Sequence, residues 1–237
     1  MRALLLAAGL GTRLRPLTER IPKCLVPIRG KPLLAYWLDL LLPSGIDKVL
    51  VNTYYLPEAV RRFVASSPWQ DRITLVHEDR LLGTGGTILR NQAFFENRAF
   101  LVAHADNLSR FDVGAFLGRH EHRPAGTSIT MMTFRTDAPE TCGIVEEDDR
   151  SVVTAFHEKV SKPPGDHANA AVYIFEPSVI EFLEGLGKEV IDLSTELIPH
   201  FIGRICTFHN RDYHRDIGTS ESLGKAEREF SFRSATQ

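Results

Sequence analysis

Short apolar runs alternate with amphipathic segments along the first half of the chain. The runs are too short for helices and contain few polar positions, which is typical of strands buried on both faces of a parallel sheet. They predict strands at residues 3–8, 48–52, 73–77 and 99–103. Between these strands, helices are predicted at residues 33–42, 57–64 and 83–91. Strands that alternate with helices form right-handed β-α-β units, so we expect an α/β fold with a mostly parallel sheet.

The second half of the chain is richer in predicted strands. Its apolar runs predict strands at residues 128–135, 143–147, 152–157, 170–175 and 204–209. The charged segment after Ala226 is predicted to be helical, followed by a frayed tail at residues 231–237. Because no long linker separates the halves, we expect one domain over residues 1–230. Its predicted core is a Rossmann-like, mixed and mostly parallel sheet that helices flank, with a β-rich second half.

Three loops follow predicted strands of the parallel sheet. They cover residues 9–23, 78–86 and 104–107. Parallel strands end at one edge of their sheet, and ligands of such folds bind beyond that edge. The three loops are therefore expected to line a single crevice.

Composition and charge restrict the partners of this chain. Its 237 residues are 43% hydrophobic and 24% charged, as in ordinary globular proteins, and its formal net charge is −2. This balance argues against nucleic acid or an anionic membrane as a partner. Binding of a phosphate group must then depend on local clusters of cations, such as Arg13, Arg15 and Lys23.

The cysteines and the apolar runs predict a cytoplasmic location. The three cysteines lie far apart without a Cys-x-x-Cys pair, which suits a reducing compartment better than a disulfide framework. The apolar start of the chain is too short for a signal peptide, and no run approaches the ~18 apolar residues of a membrane span. The nine histidines show no zinc-binding spacing, so we expect no zinc site.

A glycine-rich loop follows the first predicted strand, at Gly9-Leu10-Gly11-Thr12-Arg13. Glycines in this position let backbone N–H groups approach a phosphate. The loop is not a Walker motif, because no Lys-Ser or Lys-Thr follows it, and it is not the dinucleotide fingerprint, because Leu14 stands where a glycine is needed. Arg13 and Lys23 supply cations, so we predict a phosphate-binding loop of another kind.

The segment 6–18, followed by Ile-Pro-Lys at 21–23, closely resembles the signature loop of sugar-1-phosphate nucleotidyltransferases. Four further segments are similar to motifs of that family, nearly to the C-terminus: Leu-Gly-Thr-Gly-Gly-Thr-Ile at 82–88, Phe-His-Glu-Lys at 156–159, Asn-Ala-Ala-Val-Tyr-Ile-Phe at 169–175 and His-Arg-Asp-Ile-Gly-Thr at 214–219. The similarity is greatest to the mannose-1-phosphate guanylyltransferase branch.

This resemblance implies a reaction between an NTP and a sugar 1-phosphate that yields a nucleotide sugar and pyrophosphate. It assigns residues 1–125 mainly to nucleotide binding and the β-rich residues 126–225 mainly to binding of the sugar phosphate. It also implies Mg²⁺ as the cofactor and allows a homo-oligomer. The best substrate prediction is GTP with mannose 1-phosphate or a related manno-configured sugar.

The resemblance also implies the roles of individual residues. The catalytic residues would be Arg13, Lys23 and Asp106. The nucleotide would be bound by Ala8, Gly9, Gly11, Thr12, Arg13, Glu78, Gly83 and Thr84. The sugar phosphate would be bound by Glu158, Lys159 and Asn169, and the metal by Asp106 and Asp216.

The chemistry of such a transfer requires residues of the same types. A sugar-phosphate oxygen must attack the α-phosphorus of the NTP in line, and because both reactants are anions, positioning and charge neutralisation dominate catalysis. Mg²⁺ prefers one or two carboxylates with phosphate oxygens and water. Asp106 follows an apolar strand and Asp216 lies in a turn before Gly218, so both are suitable ligands, although an aspartate in either position is also a common turn former.

Several positions depart from the family pattern, and other functions stay open. His104 and Ala105 precede the metal carboxylate, Ala171 replaces a glycine, and Cys24 and Cys142 replace a proline and a tyrosine. No departure removes a predicted catalytic group, but together they bear on the identity of the sugar. The alternatives are uridylyl or thymidylyl transfer to an N-acetylmuramate or glucose type of sugar, guanylyl transfer to heptose 1-phosphate, phosphonate or choline-phosphate nucleotidyl transfer, and a catalytically silent regulatory subunit.

Overall fold

The computed structural model describes residues 1–230 and contains a central nine-stranded sheet. The predicted frayed tail at residues 231–237 lies outside the described residues. In chain order the strands are β1 (Arg2–Leu6), β2 (Pro27–Ile28), β3 (Lys31–Pro32), β4 (Lys48–Thr53), β5 (Ile73–His77), β6 (Phe100–His104), β7 (Asn107–Arg110), β8 (Ile129–Arg135), β9 (Gly143–Glu147), β10 (Val153–Glu158), β11 (His167–Phe175), β12 (Ile205–His209) and β13 (Tyr213–Asp216). The helices are α1 (Leu33–Leu41), α2 (Pro57–Ala65), α3 (Gly83–Arg90), α4 (Val113–Glu121), α5 (Ser178–Gly185) and α6 (Ser220–Glu229).

The central sheet is mixed, and its parallel part comes from the first half of the chain. Strand β1 pairs in parallel with β4 and β6, and β4 pairs in parallel with β5. The second half joins through β11, which pairs antiparallel with β6, β8 and β9, while β12 adds a parallel pair with β8. The predicted α/β fold, with a β-rich second half on a mostly parallel sheet, is confirmed.

Alternate residues of the buried strands face two separate apolar layers. In β6, Leu101 and Ala103 pack on the side of α1, α2 and α4, whereas Phe100 and Val102 pack on the side of α3 and α5. A strand covered on both faces needs apolar residues at every position, which explains its unbroken apolar run. The sheet is therefore held rigidly between two helical layers, and its carboxyl edge carries the loops of the site.

Some elements were not predicted or begin elsewhere than expected. The two-stranded pairs β7–β13 and β2–β3 were not predicted, nor were α4 and α5. Strand β11 begins three residues before its predicted start, at His167. The predicted helix after Ala226 is wrong in its bounds, because α6 begins at Ser220, where Thr219 caps it through the Ser222 N–H. The apolar side of α6 packs against β2 and Tyr36. The charged residues of its exposed side made this amphipathic pattern hard to recognise in the sequence.

An irregularity interrupts β11 between Asn169 and Tyr173, where its pairing with β8 shifts. Ala171 adopts a left-handed conformation there, with a φ of 52°. The Asn169 side chain accepts a hydrogen bond from the Ala171 N–H at 2.9 Å and donates one to the Tyr173 hydroxyl at 2.6 Å. The irregularity therefore brings the side chains of Asn169 and Tyr173 within hydrogen-bonding distance of each other.

Replacement of Ala171 by glycine is expected to stabilise the protein. A side chain in the left-handed region costs about 1 kcal/mol or slightly more, and glycine removes that cost. The free energy of unfolding, measured by urea denaturation, should rise by about 1 kcal/mol. The matched control is Ala168→Gly in the same strand, where the backbone is ordinary and glycine should instead destabilise. A loss of stability in Ala171→Gly would show that the methyl group contributes more by packing than it costs in strain.

Candidate active site

Asp106 and Asp216 are brought together by the β7–β13 ribbon. The chain leaves β6 at His104 and turns through Asp106 into β7, which pairs antiparallel with β13 so that Asp216 lies opposite Asn107. The Ile217 N–H also donates to the Asp106 carbonyl oxygen at 3.3 Å. Two carboxylates that are far apart in sequence thus stand together at the carboxyl edge of the parallel strands.

The Lys23 ammonium bridges these two carboxylates. Its Nζ lies 2.6 Å from Oδ2 of Asp106 and 3.3 Å from Oδ1 of Asp216, and the Lys23 side chain is only 7% exposed. Burial by itself would raise the pKa of the Asp106 carboxyl, but the charges of Lys23 and His104 and the Lys23 hydrogen bond hold that pKa below its ordinary value. Asp106 is therefore an anion at neutral pH.

Arg13 lies at the open side of this cluster. Its Nη2 is 3.9 Å from Oδ2 of Asp216, and its side chain is 68% exposed, so the guanidinium is accessible to a ligand. Gly218 allows this approach, because a Cβ built there would lie 2.5 Å from the Asp216 carboxylate and 2.8 Å from Arg13 Nη2. The predicted residues Arg13, Lys23, Asp106 and Asp216 form one cluster.

Two glycines of the loop after β1 have different tasks. Gly11 adopts a left-handed backbone conformation that favours glycine, and Gly9 leaves space beside the backbone for a ligand. Gly11 has a φ of 63° and its carbonyl oxygen accepts a hydrogen bond from Thr18 Oγ1 at 2.7 Å, while Thr12 begins a short helical turn. A Cβ on Gly11 would lie 2.9 Å from a Thr18 methyl carbon. No atom of residues 1–230 lies within 4 Å of a Cβ on Gly9, so a ligand can approach the backbone there.

A cavity of about 200 Å³ extends from the carboxylate cluster between the loop after β1 and the start of α3. Its lining residues come from the ends of β1, β4 and β6 and from the segment 78–87: Leu6, Ala8, Gly9, Asn52, Glu78, Leu81, Gly83, Thr84, Thr87, His104 and Asp106. Thus, apart from Gly11, Thr12 and Arg13 farther along the loop, every predicted nucleotide-binding residue lines this cavity.

Glu78 lines this cavity and is held in place by a hydrogen-bond network that the sequence did not reveal. Its Oε1 accepts hydrogen bonds from Asn52 Nδ2 at 2.9 Å and from Thr87 Oγ1 at 2.6 Å. Asn52 in turn accepts from the Ala7 N–H at 2.8 Å and so ties Glu78 to the loop after β1. The other oxygen, Oε2, has one long contact of 3.4 Å with the Leu82 N–H and keeps acceptor capacity for a ligand. A polar Asn52 at the end of an apolar strand was the one available signal.

The glycines at the start of α3 are required by a second segment of the chain, residues 189–193. A Cβ on Gly83 would lie 2.4 Å from the Ile191 carbonyl oxygen, and a Cβ on Gly86 would lie 2.2 Å from that of Glu189. The same segment hydrogen-bonds to this loop, since the Leu193 N–H donates to Thr84 Oγ1 at 2.8 Å. These glycines were predicted to admit a nucleobase, and the structure adds that a backbone segment packs against them.

Of the predicted sugar-side residues, Glu158 ends β10, Lys159 directly follows it and Asn169 lies in β11. Glu158 and Lys159 form an ion pair of 3.1 Å. Gly143 leaves room for it, because a Cβ there would lie 2.8 Å from Oε2 of Glu158. Asn169 uses both its oxygen and its nitrogen within β11, as described above, and so has one amide hydrogen left for a ligand.

Two titratable groups beside the carboxylates are held neutral. Burial, assisted by the Asp106 charge, raises the pKa of the Cys24 thiol to about 12, which excludes a thiolate. Burial, with His104 and Arg215 nearby, lowers the pKa of His214 to about 3. The His214 ring packs on Phe134, and its Nδ1 lies 2.5 Å from Ser109 Oγ in the neighbouring strand of the ribbon. His214 therefore supports the ribbon.

The residues present fit a hard divalent cation. Oδ1 of Asp106 is buried and has no hydrogen-bond partner among residues 1–230, so it is an acceptor that a cation would satisfy. Within that range no group of three or more His, Cys, Asp and Glu side chains could hold a metal. Two carboxylates whose coordination is completed by phosphate oxygens and water are the arrangement that Mg²⁺ favours.

This fold and this site define an α/β protein with two carboxylates and two cationic side chains clustered at the carboxyl edge of its parallel strands. Residues 2–231 match the family model described as Nucleotidyl transferase, and the chain belongs to that family. Among residues 1–230 no helix has the length and apolar character that crossing a membrane requires.

Curated relatives and solved structures agree with this membership. The chain is 34% identical over 226 residues to a mannose-1-phosphate guanylyltransferase of Mycobacterium tuberculosis, a match that covers 93% of this chain and 62% of the relative. It is 32% identical over 235 residues to a UTP–glucose-1-phosphate uridylyltransferase of Synechocystis, covering 92% and 60%. The chain therefore spans about three fifths of the length of these relatives.

Two solved structures show the same fold. A Bacillus anthracis protein solved in complex with sucrose superposes with a TM-score of 0.85 at 19% identity, covering 99% of this chain and 98% of that one. HddC from Yersinia pseudotuberculosis, solved in complex with GMP-PN, superposes with a TM-score of 0.79 at 24% identity, covering 97% and 99%.

Proposed function

We propose that this chain transfers a nucleotidyl group from an NTP to a sugar 1-phosphate in the presence of Mg²⁺ and releases pyrophosphate. The observation that carries the proposal is the cluster of Arg13, Lys23, Asp106 and Asp216, whose Asp106 also lines the cavity that contains Glu78. The same cluster combines cations for a polyphosphate with carboxylates for a metal. The proposal also includes a cytoplasmic location and leaves homo-oligomerisation open.

Each part of the cluster has a task in the proposed reaction. The open backbone at Gly9 accepts the phosphates, and the exposed guanidinium of Arg13 binds the departing pyrophosphate. Lys159 positions the sugar phosphate, and Glu158 binds sugar hydroxyls. Asp106 and Asp216 would hold Mg²⁺, which when bound supplies charge neutralisation between the two anionic reactants. No covalent intermediate is required, because positioning and electrostatics lower the barrier.

The Glu78 carboxylate favours guanine. Guanine offers two neighbouring donors on one edge, its ring N–H and its amino group. Glu78 is buried, and its Oε2 keeps acceptor capacity for one of these donors. Relatives named mannose-1-phosphate guanylyltransferase in Mycobacterium tuberculosis, rice and Arabidopsis thaliana support the same base and suggest mannose 1-phosphate as the acceptor.

The test is pyrophosphate release over a matrix of four NTPs and a panel of sugar 1-phosphates, with Mg²⁺ and with EDTA. We expect the highest rate with GTP and mannose 1-phosphate, and no rate with EDTA. A highest rate with UTP and glucose 1-phosphate would instead support the uridylyl transfer named for the Synechocystis relative. Protein that binds NTP but releases no pyrophosphate with any sugar would overturn the proposal in favour of a silent subunit.

Glu78→Gln is expected to weaken the preference for GTP. The glutamine oxygen can still accept from Asn52 and Thr87, while its amide group replaces the carboxylate oxygen that faces the cavity. We expect kcat/KM for GTP to fall about 10- to 100-fold, mainly through KM, with a smaller loss for UTP. Glu181→Gln on the exposed surface of α5 is the control and should change neither value. An unchanged ratio of GTP to UTP would remove Glu78 from base selection.

A further inference from the structure

A cation of the chain itself already lies between the two carboxylates that would hold the metal. Lys23 Nζ contacts Asp106 at 2.6 Å and Asp216 at 3.3 Å, and its side chain is nearly buried. The ammonium lowers the charge of this pair from two negative charges to one. A divalent cation added beside it would meet a like charge at short range, where the repulsion is strong.

We propose that Lys23 is an internal counter-cation that competes with the divalent metal until a nucleotide draws its ammonium away, so that metal and nucleotide bind cooperatively. This inference rests on the proposed function, because it assigns the carboxylate pair to a metal. Lys23 thereby has two successive partners: the carboxylates in the free protein and the phosphates in the complex.

The local structure allows this exchange without movement of the backbone. Lys23 begins a short helical turn in which the Val26 N–H donates to the Lys23 carbonyl oxygen at 3.1 Å. Its Cβ packs beside Gly11, since a Cβ on that glycine would lie 3.2 Å from it. The base of the side chain is therefore fixed next to the phosphate-binding loop, and only the flexible stem must turn to carry the ammonium from one partner to the other.

The carboxylate pair keeps unused capacity for a metal while Lys23 is in place. Oδ1 of Asp106 is buried without a hydrogen-bond partner in the described part of the chain, and the Asp216 side chain is about half exposed. Lys23 thus offsets one of the two negative charges but leaves acceptor capacity on the carboxylates unused. Departure of the ammonium would expose both carboxylates to one ion.

The experiment measures Mn²⁺ binding through the electron paramagnetic resonance signal of the free ion, first without nucleotide. We expect Lys23→Met to bind Mn²⁺ at least about tenfold more tightly than the wild type, with a coupling in the usual range between linked ligands. Addition of a non-hydrolysable GTP analogue should tighten Mn²⁺ binding strongly in the wild type and only weakly in the variant. Lys23→Gln, which keeps a donor for Asp106, is measured in parallel in case the methionine variant folds poorly.

The matched control is Arg13→Met, which removes the same charge beside Asp216 without removing a bridge. Equal tightening in Arg13→Met, or unchanged affinity in both folded Lys23 variants, would overturn the inference while leaving the proposed function intact. Asp106→Asn in the Lys23→Met background should abolish the gained affinity, and its persistence would also overturn the inference. Absence of Mn²⁺ binding in every protein, even with the GTP analogue, would instead contradict the metal site of the proposed function itself.

Discussion

Asp106→Asn is expected to lower the rate of nucleotidyl transfer by about 1,000-fold or more, because it removes the partly buried anion around which the site is built. The substitution keeps the shape of the side chain and its backbone contact with Ile217, but the amide is a poor ligand for a hard cation. It also deprives Lys23 of its nearest partner. The measurement is pyrophosphate release at saturating GTP and mannose 1-phosphate over a range of Mg²⁺ concentrations.

The control for this substitution is Asp39→Asn in α1. Asp39 is exposed, pairs with Lys31 at 2.7 Å and accepts from Trp69 Nε1 at 2.8 Å, far from the proposed site. It loses the same charge by the same chemical change and should retain a normal rate. Circular dichroism and thermal melting of both variants separate loss of chemistry from loss of fold. A rate for Asp106→Asn within about tenfold of the wild type would exclude Asp106 from the catalytic machinery.

The buried strands of the first half could be predicted because they are covered on both faces. The apolar runs of β1, β4 and β6 contain few polar positions, and these strands lie close to their expected bounds. The edge strand β5 also lies where expected, although it is only partly buried. The ribbon of β7 and β13 could not be predicted in the same way, because each strand has only four residues and includes polar ones. Each is stabilised by the other, which lies far along the chain, and not by a local pattern.

The candidate site likewise contains residues that the sequence predicts and contacts that only the tertiary structure reveals. The resemblance proposed Arg13, Lys23, Asp106 and Asp216 one by one, but the bridge that Lys23 makes between the carboxylates depends on the unpredicted ribbon. Asn52 and Thr87 were missed because a buried polar residue has meaning only with its partner, and their shared partner is Glu78. Single residues suited to the chemistry can therefore be predicted from the sequence, whereas the pairing of polar side chains depends on the tertiary structure.

Gly83→Ala is expected to lower the free energy of unfolding by about 3 kcal/mol and to weaken nucleotide binding at the same time. Gly83 has a φ of 73°, where a side chain costs roughly 1–2 kcal/mol. The added methyl carbon would lie 2.4 Å from the Ile191 carbonyl oxygen, and such overpacking costs a further 1–3 kcal/mol or so. To relieve this steric overlap, residues 191–193 must move away from the start of α3.

That movement connects the stability of the loop to its function. The Leu193 N–H holds the hydroxyl of Thr84, and the Ile191 carbonyl oxygen accepts from the Gly85 N–H at 2.9 Å, so displacement of this segment also displaces the wall of the nucleotide cavity. The measurements are urea denaturation and titration with a fluorescent GTP analogue. Gly118→Ala in α4 is the control, because no atom of the described residues lies within 4 Å of its added carbon and alanine favours a helix. Normal nucleotide affinity in a destabilised Gly83→Ala would mean that residues 191–193 pack against the cavity wall without shaping it.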